Sequence, residues 1–297
     1  MYKNKEGSNM ININPMEFNI FKRSIFSNKE EIKIPSGLTY LIGENGSGKT
    51  IFIKSIMNVL GDNSKSIKFN GKSYFEEIKN IKIVFDEEYF IERLNGFENL
   101  IYFNNYSDNK IEVAKIKKYY DIWNSDSKAK YSEYSLGMKK RLAITFALMY
   151  ETDFLLMDEP FNALDSSAQN LLIDTLVYKR SEDKTIIVTS HEMEKMLLYC
   201  DHLLVIHENE LHFFGNIGEK RNDFVNCQII VRKSKEIKEI ENYILELKEL
   251  SEGMVIKVQV EQKDYILSKL RELGVEVIRH REEAMSIKEI LETLKAA

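Results

Sequence analysis

The sequence predicts an α/β fold with a mixed sheet core and a helical insert, followed by a small C-terminal α+β domain. Three observations carry that expectation. An apolar strand runs into a glycine-rich loop and then a helix at residues 38–60, and short apolar runs at 154–157 and 185–189 flank a helical stretch. Strand-like and helix-like segments then alternate afresh from residue 227 onward.

Residues 16–42 alternate apolar and polar positions, as in Ile32-Lys33-Ile34, and lead into Leu38-Thr39-Tyr40-Leu41-Ile42, the pattern of strands ending in a turn. Thr50 to Leu60 carries apolar residues at 51, 52, 53, 56, 57, 59 and 60 and stops at Gly61, as a helix with a C-terminal glycine does. Residues 97–125 read as helical but polar, and a second helix starts near Leu136 and continues through Leu148. Together they predict a helical insert at about 97–145. Phe154–Met157 and Thr185–Thr189, with a helix at about 166–181 between them, fit buried parallel strands. Leu203–His207 and Glu210–Phe214 flank Glu208-Asn209 as a hairpin closing a first domain over residues 1–222. Residues 223–297 are expected to hold strand 227–232, helix 236–250, strand 254–260, helix 262–273, strand 274–279 and helix 286–295.

Of the 297 residues, 43% are hydrophobic and 30% charged, ordinary values for a globular protein. No run approaches the roughly 20 apolar residues that a membrane-spanning helix needs. The net charge of −5 argues against a broad nucleic-acid footprint. Met1–Met10 is polar with no apolar stretch after its lysines, so no secretory signal is expected. Cys200 and Cys227 lie outside any metal-ligand spacing and read as free thiols in a reducing cytosol.

Gly43-Glu44-Asn45-Gly46-Ser47-Gly48-Lys49-Thr50 fits the phosphate-binding loop pattern, with a strand before it and a helix after it. Its glycines let the backbone curl so that N–H groups point at phosphate oxygens, and the helix N-terminus adds a favourable dipole. Lys49 is expected to pair with the β- and γ-phosphates of ATP and the Thr50 hydroxyl to ligate Mg²⁺. The run Phe154-Leu155-Leu156-Met157-Asp158-Glu159 supplies an apolar strand that delivers a carboxylate: Asp158 on the Mg²⁺ side, then Glu159 as general base for an attacking water.

Just upstream of Asp158, Tyr134-Ser135-Leu136-Gly137-Met138-Lys139-Lys140-Arg141 resembles the signature motif of ABC ATPases. The resemblance spans about residues 16–222 through five ordered motifs. It implies that Ser135, the backbone at Gly137 and the following helix N-terminus cover the γ-phosphate held by another chain's loop. Leu136 stands where the family has its first glycine, and Met138 where it has Gln. A Leu there is similar to variants in bacterial drug and peptide exporters. Asn162-Ala163-Leu164-Asp165 resembles the loop whose aspartate helps join two subunits, and His191 resembles the switch histidine that contacts the γ-phosphate. Ile81 to Leu100 aligns with the segment whose Gln contacts Mg²⁺. That position falls on Asp86, a shorter carboxylate that would reach the ion directly or through a water. Counting back from Gly37, the adenine-stacking aromatic falls on Phe21, with Phe26 as competitor.

The resemblance implies the ATP-binding and hydrolysing subunit of an ABC transporter, cytoplasmic and peripheral on the cytoplasmic face of the cell membrane. Its cofactors would be ATP and Mg²⁺. Its partners would be a membrane-spanning permease subunit and a second ATPase chain, as a homodimer or a heterodimer with a relative, with no nucleic acid. Export of a drug, an antibiotic peptide or a similar amphiphile is the expected direction. Residues 223–297 are similar to small C-terminal domains of some exporter ATPases in length and element pattern alone. A soluble ABC-type ATPase acting on a ribosome, DNA or an assembly complex is the competing reading. Such proteins usually carry two nucleotide domains or a long coiled-coil insertion, and this chain has neither. A P-loop kinase or GTPase leaves the signature segment and His191 unexplained.

Overall fold

The computed structural model describes residues 9–20, 23–57, 60, 65–85, 90–123, 128–190, 196–218, 224–251 and 253–295. Phe21, Asp86 and His191 lie outside the described residues. Contacts divide the chain into two compact units, Met1–His191 with Asp201–Gly215, and Glu192–Cys200 with Asn216–Ala297.

The first unit begins with β1 (Ile11–Ile13), β2 (Met16–Ile20), β3 (Arg23–Asn28), β4 (Ile32–Ile34) and β5 (Gly37–Gly43). It continues through α1 (Lys49–Ile56), β6 (Ile67–Phe69), α2 (Tyr74–Glu77), β7 (Ile81–Val84), α3 (Gly96–Tyr106), α4 (Val113–Trp123) and α5 (Leu136–Leu148). It ends with β8 (Phe154–Met157), α6 (Ser166–Arg180), β9 (Thr185–Thr189), β10 (His202–His207) and β11 (Glu210–Phe214). The larger sheet is mixed, in the order β2-β3-β11-β10-β5-β9-β8-β7. Its run from β10 to β7 is parallel throughout, and the β10–β11 hairpin turns back antiparallel. Parallel neighbours on both sides explain why β5, β8 and β9 read as continuous apolar runs and not as alternating ones. A smaller antiparallel sheet has the order β4-β1-β6. One apolar cluster joins its residues Ile11, Ile34 and Phe69 to Phe52 and Ile53 of α1 and to Leu41, Leu156 and Ile187 of the large sheet.

Helix α1 stops at Ile56, short of the predicted Leu60. Phe52, Ile53 and Ile56 already complete its buried face, and Leu60 sits exposed in a turn. The polar helical stretch expected over 97–125 is two helices. Asn104 makes the break, because its buried amide accepts from the Ile111 N–H and donates to the Ile111 carbonyl, both at 3.0 Å. Asn95 and Glu98 start α3 with reciprocal capping hydrogen bonds of 2.9 Å. The insert has its own core around Leu100, Ile116, Tyr120, Tyr134 and Leu142.

Where β10 meets the start of β5, His202 is buried beside Ser36, with Nε2 3.3 Å from the Ser36 carbonyl oxygen. Burial pushes its imidazole below the ordinary value of 6.5. The folded state then binds the proton more weakly than the unfolded chain. His202 therefore costs nothing above the unfolded value, and stability is lost as pH falls below it toward the folded value. The expected slope from this one group is at most about 1.4 kcal/mol per pH unit. Thermal melts at about pH 7 and pH 5.5 should show a smaller acid loss in His202→Gln than in the parent; an equal loss in both proteins contradicts this assignment.

The second unit carries β12 (Val225–Val231), a 3-10 segment at Glu236–Tyr243, β13 (Glu246–Glu249), β14 (Met254–Gln259), α7 (Lys263–Glu272), β15 (Val277–Ala284) and α8 (Ile287–Lys295). Its sheet has the order β13-β14-β12-β15 with every pair antiparallel, a ferredoxin-like β-helix-β-β-α-β arrangement. Ile229, Ile256, Ile266 and Leu270 lie in its core. The helix expected over 236–250 is corrected to the 3-10 segment followed by β13. The strand forms because Leu247 and Lys248 pair with Ile256 and Val255 of β14. The strand expected at 274–279 begins at Val277, since Gly274, at φ 69°, makes the left-handed stop after α7.

Candidate nucleotide-binding site

The C-terminal ends of the parallel strands gather the candidate residues on one edge of the sheet, where α/β sheets place ligands. Gly43 ends β5, and the loop after it turns through Gly46 at φ 79° and Gly48 at φ 104°. Gly48 is required twice over: its φ disfavours any side chain, and a Cβ would lie 2.7 Å from Ile25 Cγ2. The Ser47 N–H donates to the Glu44 carbonyl at 3.0 Å, and Lys49 Nζ donates to the carbonyls of Gly43 at 2.8 Å and Glu44 at 3.3 Å. Glu44, Asn45 and Gly46 are exposed at the loop tip, and Thr50 is exposed on the first turn of α1. Ser47 Oγ is buried with no hydrogen-bond partner among the described residues.

Asp158 and Glu159 follow β8 and are only 2% and 7% exposed. The Asp158 N–H donates to the Val84 carbonyl at 2.8 Å. Register between β8 and β9, with Met157 opposite Val188, sets Thr189 beside them. The Thr189 hydroxyl accepts from the Glu159 N–H and donates to Asp158 Oδ1, each at 2.8 Å. Glu159 has φ 46°, a left-handed conformation that costs a non-glycine residue roughly 1–3 kcal/mol and clusters at functional sites. Burial lowers the Lys49 ammonium from its ordinary value, opposed by the negative charges of Glu159 and then Asp158. The structure therefore brings the Gly43–Thr50 loop, Asp158 and Glu159 together around one lysine.

Ser135, Gly137 and Asp165 gather elsewhere, at the starts of α5 and α6. Ser135 caps α5, its hydroxyl accepting from the Met138 N–H at 3.3 Å. A Cβ at Gly137 would lie 2.6 Å from the Ala163 carbonyl oxygen, so close approach of α5 to the 159–165 loop by itself demands glycine. Asp165 caps α6, with Oδ1 accepting from the Ala168 N–H at 2.9 Å, and its Oδ2 is ion-paired with Arg141. Leu136, at 75% exposure, stands free on the surface of this group. Phe26 is corrected: it is fully buried, stacked on Phe18 at 5.1 Å and edge-on to Phe52 at 5.5 Å, which makes it a core residue and removes it from contact with adenine.

Sequence reasoning does not single out Thr189, and it includes Lys140 and Arg141 in the signature segment without a role for either. A threonine ending an apolar strand reads as an ordinary β-former. Lys140 is buried and donates to the Phe85 carbonyl at 2.9 Å, tying α5 to the end of β7.

The strand, glycine loop, helix and paired carboxylates define a nucleotide-binding P-loop protein. The family described as "ABC transporter" matches residues 31–162. An uncharacterised ABC transporter ATP-binding protein of Bacillus subtilis is 29% identical over 193 residues, 61% of this chain and 85% of that protein. A bacitracin transport ATP-binding protein of Enterococcus faecalis is 30% identical over 206 residues, 66% of each chain. A solved structure of the ATP-binding subunit of an ABC transporter shares the fold with TM-score 0.62 and 18% identity, covering 71% of this chain and 92% of that one. The chain belongs to the ATP-binding subunits of ABC transporters, which hydrolyse ATP to drive transport.

Thr189→Val keeps shape but leaves the Glu159 N–H and Asp158 Oδ1 without this partner in a buried site. The expected cost is about 1–3 kcal/mol of stability, with kcat for ATP hydrolysis falling more than KM rises. Chemical denaturation and steady-state ATPase assays check both; wild-type stability together with wild-type kcat rules the bridge out as a support for Glu159.

Proposed function

We propose that two copies of the nucleotide-binding unit, or one copy and a related ATPase, close around two ATP molecules and transmit that closure to a membrane-spanning permease subunit. The observation that carries this reading is Glu159, left-handed at φ 46° with its N–H bonded to the Thr189 hydroxyl and its charge acting on Lys49. Lys49 and the loop N–H groups would bind the β- and γ-phosphates, and Glu159 would accept a proton from the attacking water. Ser135 and Gly137 of the second chain would cover the γ-phosphate, and Asp165 would contribute to the junction.

The residues present fit Mg²⁺. The exposed Thr50 hydroxyl and the Asp158 carboxylate are hard oxygen donors, and this ion takes one or two such ligands plus substrate phosphates and water. Bound there, Mg²⁺ would neutralise charge on the phosphates. His191, Asp86 and Phe21 keep their proposed roles at the γ-phosphate, the metal and the adenine. Among the described residues no helix is long and apolar enough to cross a membrane, which fits a chain that works through a separate permease on the cytoplasmic face. Leu136 in the signature and the likeness to a bacitracin transport protein support export of a drug, peptide or similar amphiphile.

The test is an affinity pull-down of tagged Glu159→Gln protein with Mg·ATP from detergent-solubilised membranes and cytosol. A co-purifying polytopic membrane protein is the expected result. Recovery of ribosomal or DNA-associated proteins with no membrane partner contradicts the transporter reading.

A further inference from the structure

In the second unit, β15 pairs with β12 on one side and stands at the edge of the sheet on the other. Ile278 to Glu282 are exposed in succession, with Lys263 of α7 reaching Glu282 at 2.8 Å on one face. An eight-residue edge strand of this kind offers a row of N–H and C=O groups to another strand. Many proteins guard such edges with charge, lysine above all. In β15 the charge is instead divided by sign along the strand, with Arg279 and Arg281 preceding Glu282 and Glu283.

We propose that β15 is the surface on which a second copy of this chain docks. The two β15 strands pair antiparallel across a two-fold axis at Arg281 and join their sheets into one. This contact needs no nucleotide and is separate from the ATP-driven closure proposed above.

The position of the axis follows from strand geometry. Successive residues of an antiparallel strand direct their N–H and C=O groups alternately to either side, and directly opposed residues are of the same kind. A strand paired with its own copy must therefore have its axis pass through a residue, not between two. The β12–β15 ladder is regular from Val225 opposite Ala284 to Ile230 opposite Arg279, so the alternation holds across the charged stretch. With the axis at Arg281, Arg279 faces Glu283 of the second copy, twice by symmetry, and Glu282, already paired with Lys263 of its own chain, faces an imidazole and not a like charge. An axis at His280 sets Arg279 against Arg281. An axis at Glu282 sets that glutamate against itself and opposes Arg281 to Glu283, a pair that already lies 3.6 Å apart within each chain and so gains little across the seam. Opposite charges across a strand pair favour it and like charges oppose it, so Arg281 is the preferred axis. Its one like-charge contact is softened within each chain, where Arg281 Nε donates to Gln228 Oε1 at 3.2 Å and the guanidinium lies 3.6 Å from Glu283. The opposite edge, β13, has only four residues, and very short strands are a common way to blunt an edge.

Arg281→Cys in the full chain tests the axis. Opposed Cα atoms in an antiparallel pair are about 4.5–5.5 Å apart, within the span of about 4.4–6.8 Å that a disulfide bridges. Both native thiols, Cys200 and Cys227, are buried. With oxidised glutathione and no nucleotide, Arg281→Cys should form covalent dimer on the order of tenfold faster than Tyr265→Cys, an exposed control on α7, because docking raises the effective thiol concentration. Adding Arg279→Glu to Arg281→Cys should slow the reaction, and adding Glu283→Arg as well should restore it, since the swapped charges again oppose. Equal rates at positions 281 and 265, or a swap that fails to restore the rate, overturn the proposal. Because no nucleotide is present, neither result depends on whether ATP closes the first unit.

Discussion

Glu159→Gln is expected to bind ATP with near-wild-type affinity and to lose about 10²- to 10⁴-fold in hydrolysis, the usual contribution of a positioned general base. The amide preserves the size of the side chain and leaves the Glu159 N–H bond to Thr189 in place, so the left-handed turn and the fold should persist. What is lost is the proton acceptor. With hydrolysis stalled, ATP should hold the two chains together, and the variant should elute as a dimer with Mg·ATP and as the parent does without it. Steady-state ATPase rates and light scattering on eluted protein measure the two effects. A variant that hydrolyses ATP at the parental rate shows that Glu159 is not the base.

Lys49→Met has the second large expected effect. The ammonium now bridges the Gly43 and Glu44 carbonyls and sits under the influence of Glu159 and Asp158. Methionine keeps an apolar stem of similar length in the buried space but removes the charge that ATP phosphates would meet. Loss of a transition-state donor of this kind costs about 3–4 kcal/mol, or roughly 10²- to 10³-fold in kcat. ATP affinity should fall as well, because the same charge meets the ground-state phosphates. Binding of a fluorescent ATP analogue and the ATPase rate would both drop, while circular dichroism stays unchanged. Parental affinity with parental turnover would remove Lys49 from the site.

The loop at 43–50 was legible because its chemistry is contiguous: glycine positions, lysine and hydroxyl all fall within one turn between a strand and a helix. Asp158 and Glu159 were legible for the same reason, at the end of an apolar strand. Thr189 was not, since its hydroxyl acquires meaning only when β9 lies in register beside β8. The glycine at 137 was noticed for a phosphate, but its tightest neighbour is the Ala163 carbonyl of its own chain, a contact between segments distant in sequence. Phe26 enters the sequence reading only by its distance from Gly37, which carries no information on burial; the stacking on Phe18 of β2 and the edge contact with Phe52 of α1 that bury it are tertiary. In the second unit, β13 was misread because Ile237, Ile240 and Leu247 are spaced as on a helix, while its four residues are all exposed and leave no period-two burial. Pairing with β14 decided its conformation, as tertiary context does for weakly patterned segments.

The central claim is that each catalytic site is completed by the other chain, and mixing two inactive variants tests it most directly. Lys49→Met has a damaged phosphate loop and an intact signature, whereas Ser135→Arg has the reverse. If sites are shared, a mixed dimer holds one site built from the intact loop of one chain and the intact signature of the other. ATP hydrolysis should then reappear on mixing, in proportion to the mixed dimer formed. If loop and signature act within one chain, every chain in the mixture carries a defect, and the mixture stays as inactive as its components.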